Sequence, residues 1–181
     1  YDASGFEIKK KGGFDIVDVA LIPEGSTYYD GRLKGIDPDH FEYPYTIEYT
    51  YKITYDEVIN YPDWKPVSDY NVAVEFSRFR LILQDSADCR YYEKNIINPA
   101  VTFNTSTSRV ITWELRNSAA RLEEYLSPDL DEYTPFVLLA PSDVTVEGYA
   151  GNFESWNGFG KWIGLLNQGK NNLGPETINT I

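Results

Sequence analysis

Hydrophobic and polar positions alternate most strictly between Tyr45 and Tyr55. Tyr45, Ile47, Tyr49, Tyr51, Ile53 and Tyr55 share one parity; Thr46, Glu48, Thr50, Lys52 and Thr54 share the other. A two-residue period built from aromatic and β-branched side chains predicts a β-strand. At about 3.3 Å per residue it would run roughly 36 Å, one face on a core and the other in water. A second extended stretch changes phase, with Val72, Val74 and Phe76 on one parity and Phe79, Leu81 and Leu83 on the other. That change predicts a bulge, or a strand bending from one sheet into another. Shorter strands are predicted over Arg90–Lys94, Ala100–Asn104, Arg109–Leu115, Phe136–Ala140 and Val144–Tyr149, with Pro141-Ser142-Asp143 as the turn between the last two. Phe6–Ile8, Phe14–Ala20 and Tyr28–Lys34 read as further strands. Many short strands, broken by Gly, Pro, Asn and Asp, predict an all-β domain over residues 1–150, an antiparallel two-sheet β-sandwich. Trp113 and Tyr49 are expected to face its core.

The period changes after Tyr149. Ser155 is a good N-cap, Trp156, Phe159, Ile163 and Leu166 recur at helical spacing with Trp162 beside them, and Gly169 suits the position past the end. Residues 151–181 therefore read as a helical linker leading into the start of a following domain. The apolar stripe needs a partner surface, which makes Trp156, Phe159, Trp162, Ile163 and Leu166 candidates for an interdomain contact. Gly158 and Gly160 each cost such a helix about 1 kcal/mol relative to Ala, a cost that close packing on that side would explain.

Charge narrows the possible partners. The 181 residues carry 28 acidic and 16 basic side chains, a net charge of −12. Nucleic-acid binding is excluded as an expectation, because phosphate contacts need clustered cations and Lys9-Lys10-Lys11 is the only dense run. With 42% apolar residues the chain has enough for a core. The single Cys and single His exclude a disulfide framework and a multi-histidine metal site. No apolar run approaches the roughly 18 residues of a membrane span, and no signal-like stretch lies near Tyr1. Met is absent, and Pro175-Glu176-Thr177 opens a helix pattern just before Ile181. The simplest expectation is a processed or excised piece of a longer protein.

Several stretches, in order, carry a resemblance: Tyr43–Tyr49, Pro62–Pro66, Ser77-Arg78-Phe79, Trp113-Glu114-Leu115, Ser127–Glu132, Leu138–Asp143, Gly148-Tyr149 and Ser155–Trp162. Together, over roughly residues 25 to 170, they resemble the β-rich domain of unknown function that precedes a transglutaminase-like domain in bacterial cell-envelope proteins. The resemblance implies a sandwich-type N-terminal domain and export to the periplasm or cell exterior, the signal peptide lying outside this sequence. It also implies a papain-like Cys-His-Asp domain following it. The catalytic residues of that domain would lie beyond Ile181, so the resemblance implies none here.

The chain's own reactive groups offer little. Cys89 follows Asp85-Ser86-Ala87-Asp88, where neighbouring acids disfavour a thiolate, and His40 follows the turn sequence Asp37-Pro38-Asp39. Glu123, Glu124, Asp129, Asp131, Glu132 and Glu147 could supply an acid and a base for glycoside cleavage, but acids abound throughout. Asp129, Asp131 and Glu132 could offer oxygen ligands to calcium, but they lack an EF-hand's glycine and spacing. They read more simply as a solvated loop. Tyr43, Trp64 and Tyr70, in an aromatic-rich stretch with Tyr28, Tyr29 and Tyr61, could stack on a glycan or serve as core and interface residues. The expectation is a non-catalytic accessory domain without metal or cofactor that packs against or orients the transglutaminase-like domain. A module recognising saccharides or cell-wall fragments is the alternative.

Overall fold

The structure, a computed structural model, describes residues 1–20, 31–55, 59–84 and 87–170. Strands dominate, every paired strand is antiparallel, and one α-helix closes the described chain. Two compact units divide it, Tyr1–Thr54 and Tyr55–Ile181.

The first unit is a two-stranded ribbon with long irregular stretches. A short helical turn at Gly13–Asp15 leads into β1 (Ile16–Ala20), which pairs with β2 (Arg32–Ile36), Ile16 opposite Ile36 and Ala20 opposite Arg32. Phe6–Ile8 forms no strand, and Tyr28–Asp30 lie outside the described residues. The predicted strand over Tyr45–Tyr55 is absent too: the segment belongs to no ladder among the described residues, and both parities are exposed except for half-buried Tyr45. Tyr49, expected in the core, is 77% exposed. None of the described residues of this unit is buried. A chain this short buries too little surface to build a core from alternation alone, and a strand pattern becomes a strand only where a neighbour satisfies its backbone.

The second unit holds the sandwich. β3 (Val74–Gln84), β5 (Val101–Asn104) and β6 (Ser108–Ser118) form one sheet in the order β3-β6-β5; β4 (Cys89–Lys94) and β7 (Phe136–Pro141) form another. Trp64 and Val137 exchange both backbone hydrogen bonds at 2.9 Å, extending the second sheet by one bridge. Leu81, Leu83, Ile111, Trp113 and Leu115 from the first sheet meet Cys89, Val137 and Leu139 from the second, with Trp64 and Val67 completing the core. The predicted face holds, with Trp113 only 1% exposed. Its ring lies 5.8 Å from Phe79 and 5.3 Å, edge-on, from Tyr91. Its indole N–H donates to Glu93 Oε1 at 2.6 Å.

The phase change along β3 has a different cause from the one expected. Pairing keeps one register from Val74 opposite Ser118 to Gln84 opposite Ser108, with no residue inserted on either strand; the ladder skips only Glu75 and Asn117, where Asn117 takes a φ of 52°. Phe76 instead lies on the outward face, where the guanidinium groups of Arg116 and Arg78 sit 4.4 and 5.0 Å from its ring. Glu114 accepts from both arginines, at 2.7 Å from Arg78 and 3.0 Å from Arg116. An apolar residue on a solvated face is thus covered by cations rather than turned inward.

Val144–Tyr149, read as one strand, is a hairpin. β8 (Asp143–Val146) folds back on β9 (Tyr149–Asn152) through Glu147 and Gly148, at φ of 50° and 80°. Two successive positive φ values make the tight turn that suits the twist of paired strands. Helix α1 (Trp156–Leu166) follows, its Ser155 Oγ accepting from the Gly158 N–H at 3.1 Å as the cap predicts.

Candidate functional site

The helix packs on the hairpin through a small aromatic knot. Trp162 is buried, and its indole N–H donates to the Tyr149 carbonyl at 3.1 Å. Phe153 meets Phe159 and Trp162 edge-on at 5.3 and 5.1 Å. The backbone of Phe153 is itself held, its N–H donating to the Ser142 carbonyl at 2.7 Å and its carbonyl accepting from Arg90 at 2.6 Å. Two glycines permit the approach. A Cβ on Gly151 would stand 2.4 Å from the Trp162 ring, and one on Gly158 would stand 2.4 Å from the Asn152 carbonyl oxygen. Nothing comparable faces Gly160.

The five stripe residues therefore divide. Trp162 is consumed within the unit, while Phe159 and Leu166 are half-buried. Trp156 is 88% exposed, and Ile163 and the unanticipated Leu165 are exposed as well. The helix is fixed through Trp162 and Phe159 and leaves the Trp156 indole exposed at its first turn, 6.1 Å from the Phe159 ring.

The ligand candidates separate too. Trp64 is a core residue, 7% exposed, with its indole N–H on Ser77 Oγ at 3.0 Å, so it has no ring face to offer a sugar. Tyr43 is 83% exposed in the first unit, its ring 5.2 Å from that of Tyr45, which in turn meets His40 edge-on at 5.3 Å. Tyr70 lies in the second unit and is half-buried, its hydroxyl donating to the Pro128 carbonyl at 3.0 Å. It borders a shallow hollow of about 510 Å³ lined by Glu123, Glu124 and Asp129. No group of three His, Cys, Asp or Glu side chains suited to a metal ion occurs among the described residues.

A second hollow, of about 630 Å³, lies within the first unit between Lys9, Lys10, Ile16, Ile36, His40 and Tyr45–Thr50. Its charges are locally matched. Lys9 pairs with Asp39 at 2.8 Å, which raises the lysine pKa and lowers that of the aspartate. The Tyr1 hydroxyl donates to Glu48 at 3.0 Å, and this carboxylate raises the tyrosine pKa. Cys89, the one thiol, is buried in the second unit's core, where burial pushes its pKa up and leaves it a poor nucleophile.

Residues 1–121 match the profile of a domain of unknown function with solved structure, DUF3857. The chain belongs to the DUF3857 family. A comparison with curated proteins finds no match, and neither does one with individual solved structures. The matched span takes in the first unit and strands β3 to β6 of the DUF3857 chain; β7, the hairpin and α1 follow it. No helix among the described residues is long and apolar enough to cross a membrane. Of the residues that build the helix anchorage, Phe153 and Gly151 carried no periodic signal. Only the cost of Gly158 in a helix hinted at close packing there.

Proposed function

We propose that this DUF3857 chain is a non-catalytic accessory domain of an exported cell-envelope protein, packing against or orienting a transglutaminase-like domain that follows it. The observation that carries this reading is the divided helix. One face of α1 is locked to the hairpin through Trp162, while Trp156 stands 88% exposed in the first turn, its ring 6.1 Å from that of Phe159. Interface energy concentrates in a few large aromatics, which makes an exposed tryptophan the natural anchor. The family match supplies no catalytic role to set against this, and the one thiol, Cys89, is buried.

The test is made in the full-length protein. Trp156→Ala is expected to leave this domain folded, with unchanged near-ultraviolet dichroism from Trp113, yet to raise protease sensitivity at the junction and lower the soluble yield or activity of the following domain. Removing residues 1–150 should do the same more strongly. Unchanged solubility and unchanged activity in both cases would count against the proposal.

A glycan-recognition reading has one favouring observation, the exposed Tyr43 ring with Tyr45 beside it. Calorimetry with peptidoglycan fragments, in which Tyr43→Ala abolishes heat while the fold persists, would move the assignment there.

A further inference from the structure

The stretch that alternates without pairing has a second property: it reads nearly the same in both directions. About Thr50, Tyr49 mirrors Tyr51, Ile47 mirrors Ile53, Thr46 mirrors Thr54 and Tyr45 mirrors Tyr55. The one unlike pair is Glu48 with Lys52, opposite in charge. Antiparallel pairing of two identical strands produces just this mirror relation, since a two-fold axis through Thr50 sets each residue against its counterpart. Every contact then joins like with like, except where like with like would repel. There, each copy's Glu48 meets the other copy's Lys52. Parallel pairing in register would instead set Glu48 on Glu48 and Lys52 on Lys52, the unfavourable arrangement.

We propose that Tyr45–Tyr55 is a self-association strand, through which two copies of this chain pair antiparallel about Thr50. Its rings are arranged as in an extended chain, where residues two apart share a side. The Tyr49 and Tyr51 rings, two residues apart, lie 6.1 Å from each other at 11°, on one side of the chain. It is exposed on both parities, apart from half-buried Tyr45 at one end.

The free edge can be identified. The Thr46 N–H donates to the Tyr1 carbonyl at 2.9 Å, and the Tyr1 amino group donates to the Thr46 carbonyl at 3.0 Å. In an extended strand a residue's N–H and C=O point to the same edge, and successive residues alternate. Tyr1 therefore occupies the edge shared by Thr46, Glu48 and Thr50. Ile47, Tyr49, Tyr51 and Ile53 direct their backbone groups to the opposite edge, where no backbone partner is found among the described residues. Pairing along that edge makes Tyr49–Tyr51 and Ile47–Ile53 the hydrogen-bonded pairs. Glu48–Lys52 and Thr50–Thr50 become the non-hydrogen-bonded pairs, whose side chains approach more closely. Tyr1 already holds Glu48 Oε2, leaving its other oxygen for the second copy's Lys52. Lys52 is exposed and in no ion pair among the described residues. Such an unpaired β-prone edge invites strand addition, and charge complementarity selects a second copy as the occupant.

Cross-linking and sedimentation of the 181-residue chain test register and charge together. In the dimer, Thr50 of each copy faces the other at about 4.5 Å between Cα atoms, within disulfide range. Thr46 would be about 26 Å from its own counterpart. T50C is expected to form a disulfide-linked dimer under mild oxidation and T46C to stay monomeric; Cys89 is buried in both. Glu48→Lys alone and Lys52→Glu alone should each weaken self-association by about tenfold or more, since both ion pairs become repulsive. A mixture of the two variants should associate as a heterodimer, and the double swap should restore the homodimer. A wild-type chain that remains monomeric at millimolar concentration overturns the proposal, as does equal cross-linking by T46C and T50C. So does failure of the mixed variants to associate, or an edge that pairs with an unlike peptide and never with itself.

Discussion

At the scale of single residues, stability rests on Trp113. Its ring fills the space between the two sheets of the second unit, and its indole N–H reaches out to Glu93, so neither the apolar body nor the polar tip is left unsatisfied. Trp113→Ala is expected to cost about 3–5 kcal/mol in urea denaturation, the range for removing a large buried aromatic. A loss below about 1 kcal/mol would place this side chain on the surface. The face of Trp113 could be read from its parity with Ile111 and Leu115. Trp64 could not be placed that way. It sits in Pro62-Asp63-Trp64-Lys65-Pro66, which has no period, and what buries it is a single bridge to Val137, a distant residue that local pattern does not reveal. Tyr49 errs in the other direction, its parity faultless and its ring in solvent.

At the scale of elements, α1 shows propensity and packing opposing one another. Replacing a helical glycine by alanine ordinarily gains about 1 kcal/mol. Gly160→Ala should gain about that much, because nothing lies within 4 Å of the new methyl group. At Gly158 the same methyl group would stand 2.4 Å from the Asn152 carbonyl oxygen, a backbone atom held by the hairpin. Overpacking typically costs about 1–3 kcal/mol, which cancels or exceeds the gain. Gly158→Ala is therefore expected to lower the melting temperature and redden Trp162 fluorescence, while Gly160→Ala raises the former and leaves the latter unchanged. Equal effects from the two variants would mean that the helix does not dock as described. Ser155 and the helical spacing announced this element in the sequence. The hairpin beneath it was hidden, because Glu147 and Gly148 interrupt an alternation only through their backbone angles.

At the scale of the whole molecule, the two units differ in what holds them. Every buried residue described belongs to the second unit, whereas the first has ribbon pairing and exposed ion pairs, which water screens and which therefore add little stability. Amides of Ile111 and Trp113 should then exchange with solvent only on global unfolding, at a rate independent of protein concentration. Amides of Ile47, Tyr49, Tyr51 and Ile53 should exchange quickly in dilute solution. They are the donors that a second copy would engage, so their exchange should slow as concentration rises, by roughly fifteenfold when the total concentration is a hundred times the dimer dissociation constant and about 7% of chains remain monomeric. Thr50, whose N–H points to the other edge, should gain much less than its neighbours Tyr49 and Tyr51. That alternation is specific to strand pairing: a dimer formed through side chains elsewhere would leave all of these amides unchanged, and a general compaction of the first unit would protect both parities alike. Hydrogen exchange of the 181-residue chain, read residue by residue over a concentration series, separates the three.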